Sequence, residues 1–146
     1  MKKPSWMLVW NDDMSVGIRE IDEDHKQFIF LINELNRSIT EGMPAADIKN
    51  KLQLIVDDAE RHFGEEEKLF KEWRYPDTEI HARIHVEALK ALRDIKAKFI
   101  PYGLDSEWVD AGLMIKSILI SHILTEDMKY ADYFQSMHDV NSEKDN

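Results

Sequence analysis

Four segments of this chain carry apolar residues in alternating steps of three and four, and that spacing confines the fold more than any other feature. The first stripe reads Ile21, Phe28, Ile32, Leu35 and Ile39, with His25 completing it. The second reads Ile48, Leu52, Ile55, Ala59, His62, Glu66, Leu69 and Trp73. The third is His81, His85, Ala88, Leu92, Ile95 and Phe99, and the fourth Trp108, Ala111, Ile115, Leu119 and His122. Such spacing keeps a stripe on one face of a helix packed at a shallow angle against its neighbours. Breaks at Gly42-Met43-Pro44, Arg74-Tyr75-Pro76-Asp77 and Pro101-Tyr102-Gly103 separate the segments. Short connections place successive helices antiparallel, so the pattern predicts an all-α fold, an up-down-up-down four-helix bundle. No strand-like alternation competes with it.

A chain of 146 residues is long enough for one domain with a real core. We divide it into an N-terminal strap over 1–17, a helical bundle over 18–134 and a polar tail over 135–146. The strap, irregular and aromatic from Trp6 to Gly17, is expected to lie across the bundle. The tail is expected to fray from Asn141.

The stripes contain side chains that do not belong in a core. His25, His62, Glu66, His81, His85 and His122 stand at inward positions. One buried histidine is satisfied by a backbone carbonyl. Five or more, with carboxylates, are a different matter. An unpartnered buried polar group costs about 1–3 kcal/mol, and a domain's net stability is only about 5–15 kcal/mol. Metal cations are the economical partner. Disulfides, thiolate metal sites and cysteine nucleophiles are excluded, since the chain has no cysteine.

Position along the helices supports a shared site. In an antiparallel bundle, His25 near the start of the first helix lies level with His62 and Glu66 late in the second. The third helix begins at that end with His81 and His85, and the fourth ends there with His122 and a following carboxylate. Residues four apart differ by about 40° around a helix and about 6 Å along it, so both members of such a pair can reach one site. The fourth helix is awkward. His122 pairs by this rule with Glu126, whereas Asp127 lies about 140° away. Regular helix geometry alone selects Glu126.

The arrangement resembles the hemerythrin family, specifically its single-domain bacterial form. A lone His, HxxxE, HxxxH and HxxxxD, one element per helix, read here as DEDHKQ around His25, HFGEE from His62, HARIH from His81 and HILTED from His122. The aromatic entry VWNDDMSVGI and the RYP turn extend the resemblance over nearly the whole chain. It implies two iron ions with a bridging oxide or hydroxide. His81, His85 and His122 would hold one iron, His25 and His62 the other, and Glu66 and Asp127 would bridge both. Asp127 then requires a local π-bulge between His122 and Asp127 that turns Glu126 toward solvent. His138 has no place in the pattern and is expected at the surface.

With the bridge counted, the three-histidine iron has six ligands and the two-histidine iron five, leaving one open position. The resemblance implies that dioxygen binds there and is released unchanged, for storage, transport or delivery to an oxygen-using enzyme. Ile118, Leu119, Ile123, Phe63 and Phe28 are the expected walls of a dry pocket, Ile118 standing where family members often carry Trp. Within the acidic run, Glu66 alone lies on the stripe, and Glu65 and Glu67 are expected to be solvated. Ferritin-like di-iron enzymes take Glu-x-x-His from two helices, a spacing absent here, so a carrier is expected rather than an enzyme. The competing readings are a di-iron enzyme (a peroxide or nitric oxide reductase, or a ferroxidase) and an oxygen-sensing module. A di-zinc hydrolase fits the ligand types, but nothing supplies its substrate cleft.

The net charge of -10 disfavours nucleic acid and anionic membranes as partners. The apolar run in MKKPSWMLVW is too short and broken for a signal peptide, and no window suggests a membrane span. A soluble, cytoplasmic monomer is expected.

Overall fold

The computed structural model describes residues 6–98 and 105–144. Helices α1 (Arg19–Thr40), α2 (Ala45–Trp73), α3 (Thr78–Lys98) and α4 (Asp105–Ser121) are followed by a π-helical segment, His122–Asp127, and α5 (Met128–Lys144). Ser121 and Met128 keep right-handed helical backbone on either side of the π segment, so α4, π turn and α5 run on as one rod. The described residues contain no strand, and the helices pack as expected of a four-helix bundle. The last helix runs on through the expected polar tail to Lys144. The break at Pro101–Gly103, the stripe residue Phe99 and the side chain of His138 lie outside the described residues.

Local chemistry sets the helix boundaries. At the start of α1, Asp22 reaches back from the first turn and accepts from the Ser15 hydroxyl at 2.6 Å and the Val16 amide at 2.9 Å. The acidic first turn also suits the positive end of the helix dipole. α1 closes with Gly42 at positive φ, the Met43 amide bonding to the Ser38 carbonyl. α2 closes the same way without a glycine. Arg74 takes the left-handed conformation at φ 54°, and the Tyr75 amide bonds to the Phe70 carbonyl at 2.9 Å. The Tyr75 and Phe70 rings meet at 5.2 Å, the apolar contact that accompanies this cap.

Residues 6–18 are held against α1. The Asn33 side-chain amide exchanges two 2.9 Å hydrogen bonds with the Leu8 backbone, and Lys26 lies 5.2 Å above the Trp10 ring. This segment was expected to be irregular, but it contains a 3-10 turn over Asp12–Met14, where the Asn11 side chain accepts from the Asp13 amide.

Two apolar clusters form the core. The larger holds Phe28, Ile32, Leu35, Leu52, Ile55, Phe63, Leu92, Ile115 and Leu119; the smaller holds Val16, Ile18, Ile21, Phe70, Tyr75 and Tyr130. Along α1, α2 and the last rod the inward histidines fall between the two, His25 between Ile21 and Phe28, His62 between Ala59 and Phe70, and His122 between Leu119 and Tyr130.

Contrary to the expectation that no window suggests a membrane span, the rod Trp108–Met137 is long and apolar enough, by length and composition, to cross a membrane. Its buried residues, among them Ile115, Leu119 and Ile123, face the other helices, while Val109, Leu113, Met114 and Leu124 add apolar surface outside. The inward stripe alone does not carry this outer contribution.

Gly112 marks a close approach of α4 to α1. A Cβ there would sit 2.2 Å from Asn36 Oδ1 and 3.1 Å from Ile39 Cδ1. Asn36 is buried and donates to the Ile32 carbonyl at 3.2 Å, so it has little room to yield. Gly→Ala in a free helix gains about 1 kcal/mol. Here overpacking costs about 1–3 kcal/mol and wins, so Gly112→Ala is expected to destabilise the chain in urea unfolding.

Candidate metal centre

Each helical rod delivers side chains to the layer between the clusters. α1 supplies His25, α2 supplies His62 and Glu66, α3 supplies His81 and His85, and the π segment supplies His122 and Asp127. All seven are buried, and His25, Glu66 and Asp127 are 0% exposed. The wider π turn places Asp127 on the face of His122, as the resemblance required. Glu126, which regular helix geometry favours, points outward and pairs with Lys129 at 3.0 Å.

Nitrogen and oxygen atoms converge at short range. Asp127 Oδ1 lies 3.0 Å from His122 Nε2 and 3.2 Å from His81 Nε2, and Oδ2 lies 3.1 Å from His25 Nε2. Glu66 Oε1 lies 3.2 Å from His62 Nε2 and 3.3 Å from His85 Nε2. None of these atoms has a hydrogen-bond partner, despite the proximity. Donors held about 2.1 Å from one cation, at right angles to each other, lie about 3 Å apart. Orphaned, buried and spaced in this way, they fit metal ligands better than ion pairs.

Two sets emerge, each with its ligand atoms within 4.8 Å of one another. Glu66, His81, His85, His122 and Asp127 form one; His25, His62, Glu66 and Asp127 form the other. Both carboxylates belong to both sets. This is chemistry for two adjacent cations that share two acidic ligands.

Opposed electrostatic effects act on the side chains of the layer. Burial and the Asp127 charge both push the Glu66 carboxyl up, yet the neighbouring His62 and His85 hold it down to about 2. Burial pushes the His62 ring down, but Asp24 and Glu66 raise it to about 10. His122 is likewise raised by Asp127 against burial, and Asp127 is held well below the usual carboxylate range by His122, His25 and His81.

Aromatic rings seal the layer. Phe63 stacks on His85 at 4.0 Å and 6°, and lies 5.3 Å from His122. Phe28 meets His62 edge-on at 5.2 Å. Of the other expected wall residues, Leu119 and Ile123 are buried and Ile118 is partly buried against the larger cluster. Two residues on the other side were not singled out in the sequence. Phe70 meets the His81 ring edge-on at 4.9 Å, and Tyr130 lies 5.5 Å from it. Tyr130 is fully buried with its hydroxyl unpartnered, and burial pushes that hydroxyl well above its ordinary value.

Two carboxylates outside the layer were also missed. Asp24 Oδ2 lies 2.9 Å from His62 Nδ1, and Glu67 Oε2 lies 3.3 Å from His85 Nδ1. The solvated role expected for Glu67 is therefore corrected: it is half-buried on a histidine, while Glu65 is exposed and pairs with Lys68. A carboxylate against the outer nitrogen of an inward histidine is the usual support of a metal ligand. Position next to a stripe residue was the only sequence signal for either.

Comparison with known proteins agrees with the geometry. The family model described as the hemerythrin HHE cation binding domain matches residues 16–134. A bacteriohemerythrin of Stenotrophomonas maltophilia is 32% identical over 126 residues, covering 86% of this chain and 80% of that protein. A bacteriohemerythrin of Pseudomonas aeruginosa is 30% identical over 129 residues, with the same coverage. A myohemerythrin of Theromyzon tessulatum is 29% identical over 122 residues, covering 83% of this chain and 88% of that one. With the family model spanning the four helical rods and the histidine layer between them, this chain belongs to the hemerythrin family.

Proposed function

We propose that this chain binds dioxygen reversibly at a non-haem di-iron centre, serving oxygen storage, transport or delivery to an oxygen-requiring enzyme. The family binds oxygen at a di-iron site. The observation that carries the reading here is the pair of inward donor sets sharing Glu66 and Asp127, their atoms buried and without hydrogen-bond partners. His81, His85 and His122 would hold one iron and His25 and His62 the other, with Glu66 and Asp127 bridging. Bound iron would supply the electrons with which dioxygen is taken up, and recover them on release.

The chain's own residues do the rest. One donor set offers three imidazoles and the other two, so the second leaves an open position once an oxide or hydroxide bridge is added. Phe28 and Phe63 pack against the rings of both sets and keep water and reductants from the layer. Neutral imidazoles donate less charge than the carboxylates of ferritin-like enzymes. That favours holding dioxygen over activating it, hence a carrier and not an enzyme.

We read the bundle as antiparallel, up-down-up-down, with residues 1–17 as a strap. Pairing of Ser38 with Lys51 and of Asp24 with Arg61 supports opposite directions for α1 and α2. Pairing of Gln53 with Lys96 and of Glu60 with Arg93 supports the same for α2 and α3. We place the protein in the cytoplasm as a monomer.

Metal analysis with an absorption spectrum under air and then nitrogen tests the function. Two irons per chain and a colour that fades reversibly support the carrier; steady oxygen consumption with a reductant shows an enzyme instead. If Ile118 is part of the wall, the Trp that the resemblance implies at its position would put more bulk over the site. Ile118→Trp is therefore expected to slow autoxidation, read as the decay of the oxygenated spectrum, and an unchanged rate removes Ile118 from the wall.

A further inference from the structure

Asp24 and Arg61 stand outside both donor sets, yet they reach into one of them. A carboxylate only accepts hydrogen bonds, so the 2.9 Å contact requires His62 Nδ1 to carry the hydrogen and donate it to Asp24 Oδ2. With Nδ1 committed to Asp24, His62 Nε2 is the nitrogen that faces inward beside Glu66, and it offers its lone pair to a cation once its own proton has left. The other Asp24 oxygen, Oδ1, accepts from Arg61 at 3.1 Å. Arg61 is anchored in turn by Asp58, also at 3.1 Å.

The placement is economical. Asp24 precedes His25 on α1, and Arg61 precedes His62 on α2. Two adjacent pairs thus provide both histidines of the two-histidine set and the link between them. His25 Nδ1 is buried without a partner, so Asp24 is the carboxylate that supports this set from outside. The three-histidine set has a longer counterpart, Glu67 on His85 at 3.3 Å.

We propose that Asp24 is a positioning residue that fixes the tautomer and orientation of His62 at the two-histidine iron position, and that Arg61 tunes how strongly Asp24 polarises that ring. The proposal rests on the di-iron reading. A carboxylate on the outer nitrogen makes the inner nitrogen more basic and favours ferric iron. A guanidinium on the same carboxylate draws charge away and moderates the effect. Removing Asp24's charge and removing Arg61's charge therefore act in opposite directions, which a purely structural link would not do.

The test uses the iron-loaded full chain and three variants, Asp24→Asn, Asp24→Glu and Arg61→Gln, each checked for folding by circular dichroism. The readouts are iron loss to a chelator and the midpoint potential of the iron centre. Asp24→Asn is expected to lose iron about 10–100-fold faster and to have a raised potential. Asp24→Glu is expected to recover most of the retention, and Arg61→Gln to lower the potential. Wild-type values for Asp24→Asn, or potentials that move the same way in Asp24→Asn and Arg61→Gln, overturn the proposal while wild type still binds two irons. A wild-type chain that takes up no iron overturns the di-iron reading and this proposal with it.

Discussion

Asp127→Ala is expected to lower the iron content from two ions per chain to one or none, whereas Glu126→Ala leaves it at two. The contrast is large because neighbouring acidic residues have opposite surroundings. Asp127 is fully buried, with one oxygen against His122 and His81 and the other against His25, so it belongs to both donor sets. On the di-iron reading its removal would take a ligand from each cation at once and leave the histidines that shared it without a counter-charge. Breaking a buried charged arrangement by deleting one partner costs about 3–5 kcal/mol, so Asp127→Ala is also expected to be the less stable apoprotein. Asp127→Asn, which keeps the shape and loses the charge, separates ligand loss from a packing defect. Glu126 pairs with Lys129 at a partly exposed site, where a salt bridge contributes at most about 1 kcal/mol. Iron analysis of the purified variants decides the matter. Two ions retained by Asp127→Ala would refute its role as a bridge.

Stripping the iron is expected to lower the thermal midpoint by about 8–16 °C. A ligand present at a thousandfold its dissociation constant stabilises the fold by about 4 kcal/mol. A domain of this size shifts by about 2–4 °C per kcal/mol. The seven inward groups make the stripped layer costly, since their donor atoms are buried without hydrogen bonds. The pH dependence has a definite sign. Glu66, lowered from 4.5 to about 2, stabilises the stripped chain above pH 4.5, and this is lost as pH falls toward 2. His62, raised from 6.5 to about 10, stabilises it below pH 6.5, and this is lost as pH rises toward 10. A cation must displace the His62 proton, so binding strengthens as pH rises through the same window. The gap between loaded and stripped midpoints is expected to widen from about pH 6 to pH 8, as calorimetry of both forms would show. Equal midpoints would mean that the layer does not depend on metal.

Much of this architecture was legible in the amino-acid order because helical periodicity is a local property. The apolar stripes put Leu52, Ile55, Leu92 and Ile115 at core positions, and each is fully buried. The same periodicity exposed His25, His62, Glu66, His81, His85 and His122 as polar residues at inward positions, where a cation is the cheapest partner. Asp127 was a different case. Regular spacing pointed to Glu126, and only the family resemblance pointed past it to a widened turn, which the π segment contains.

Contacts between helices were not legible. Asp24 reads as a surface acid, and it meets His62 only because α1 and α2 pack side by side across 38 residues of sequence. Glu67 reads as one of three solvated acids until α3 brings His85 against it. Phe70 and Tyr130 lie off the expected stripes, and the lid they form over His81 exists only when α2, α3 and α5 meet. The order of residues alone determined which side chains face inward and at what height along each helix, because backbone hydrogen bonding sets the helical repeat. Tertiary packing alone decided which outer groups touch those side chains, because lateral contacts depend on how neighbouring helices are rotated and no spacing within one helix encodes that.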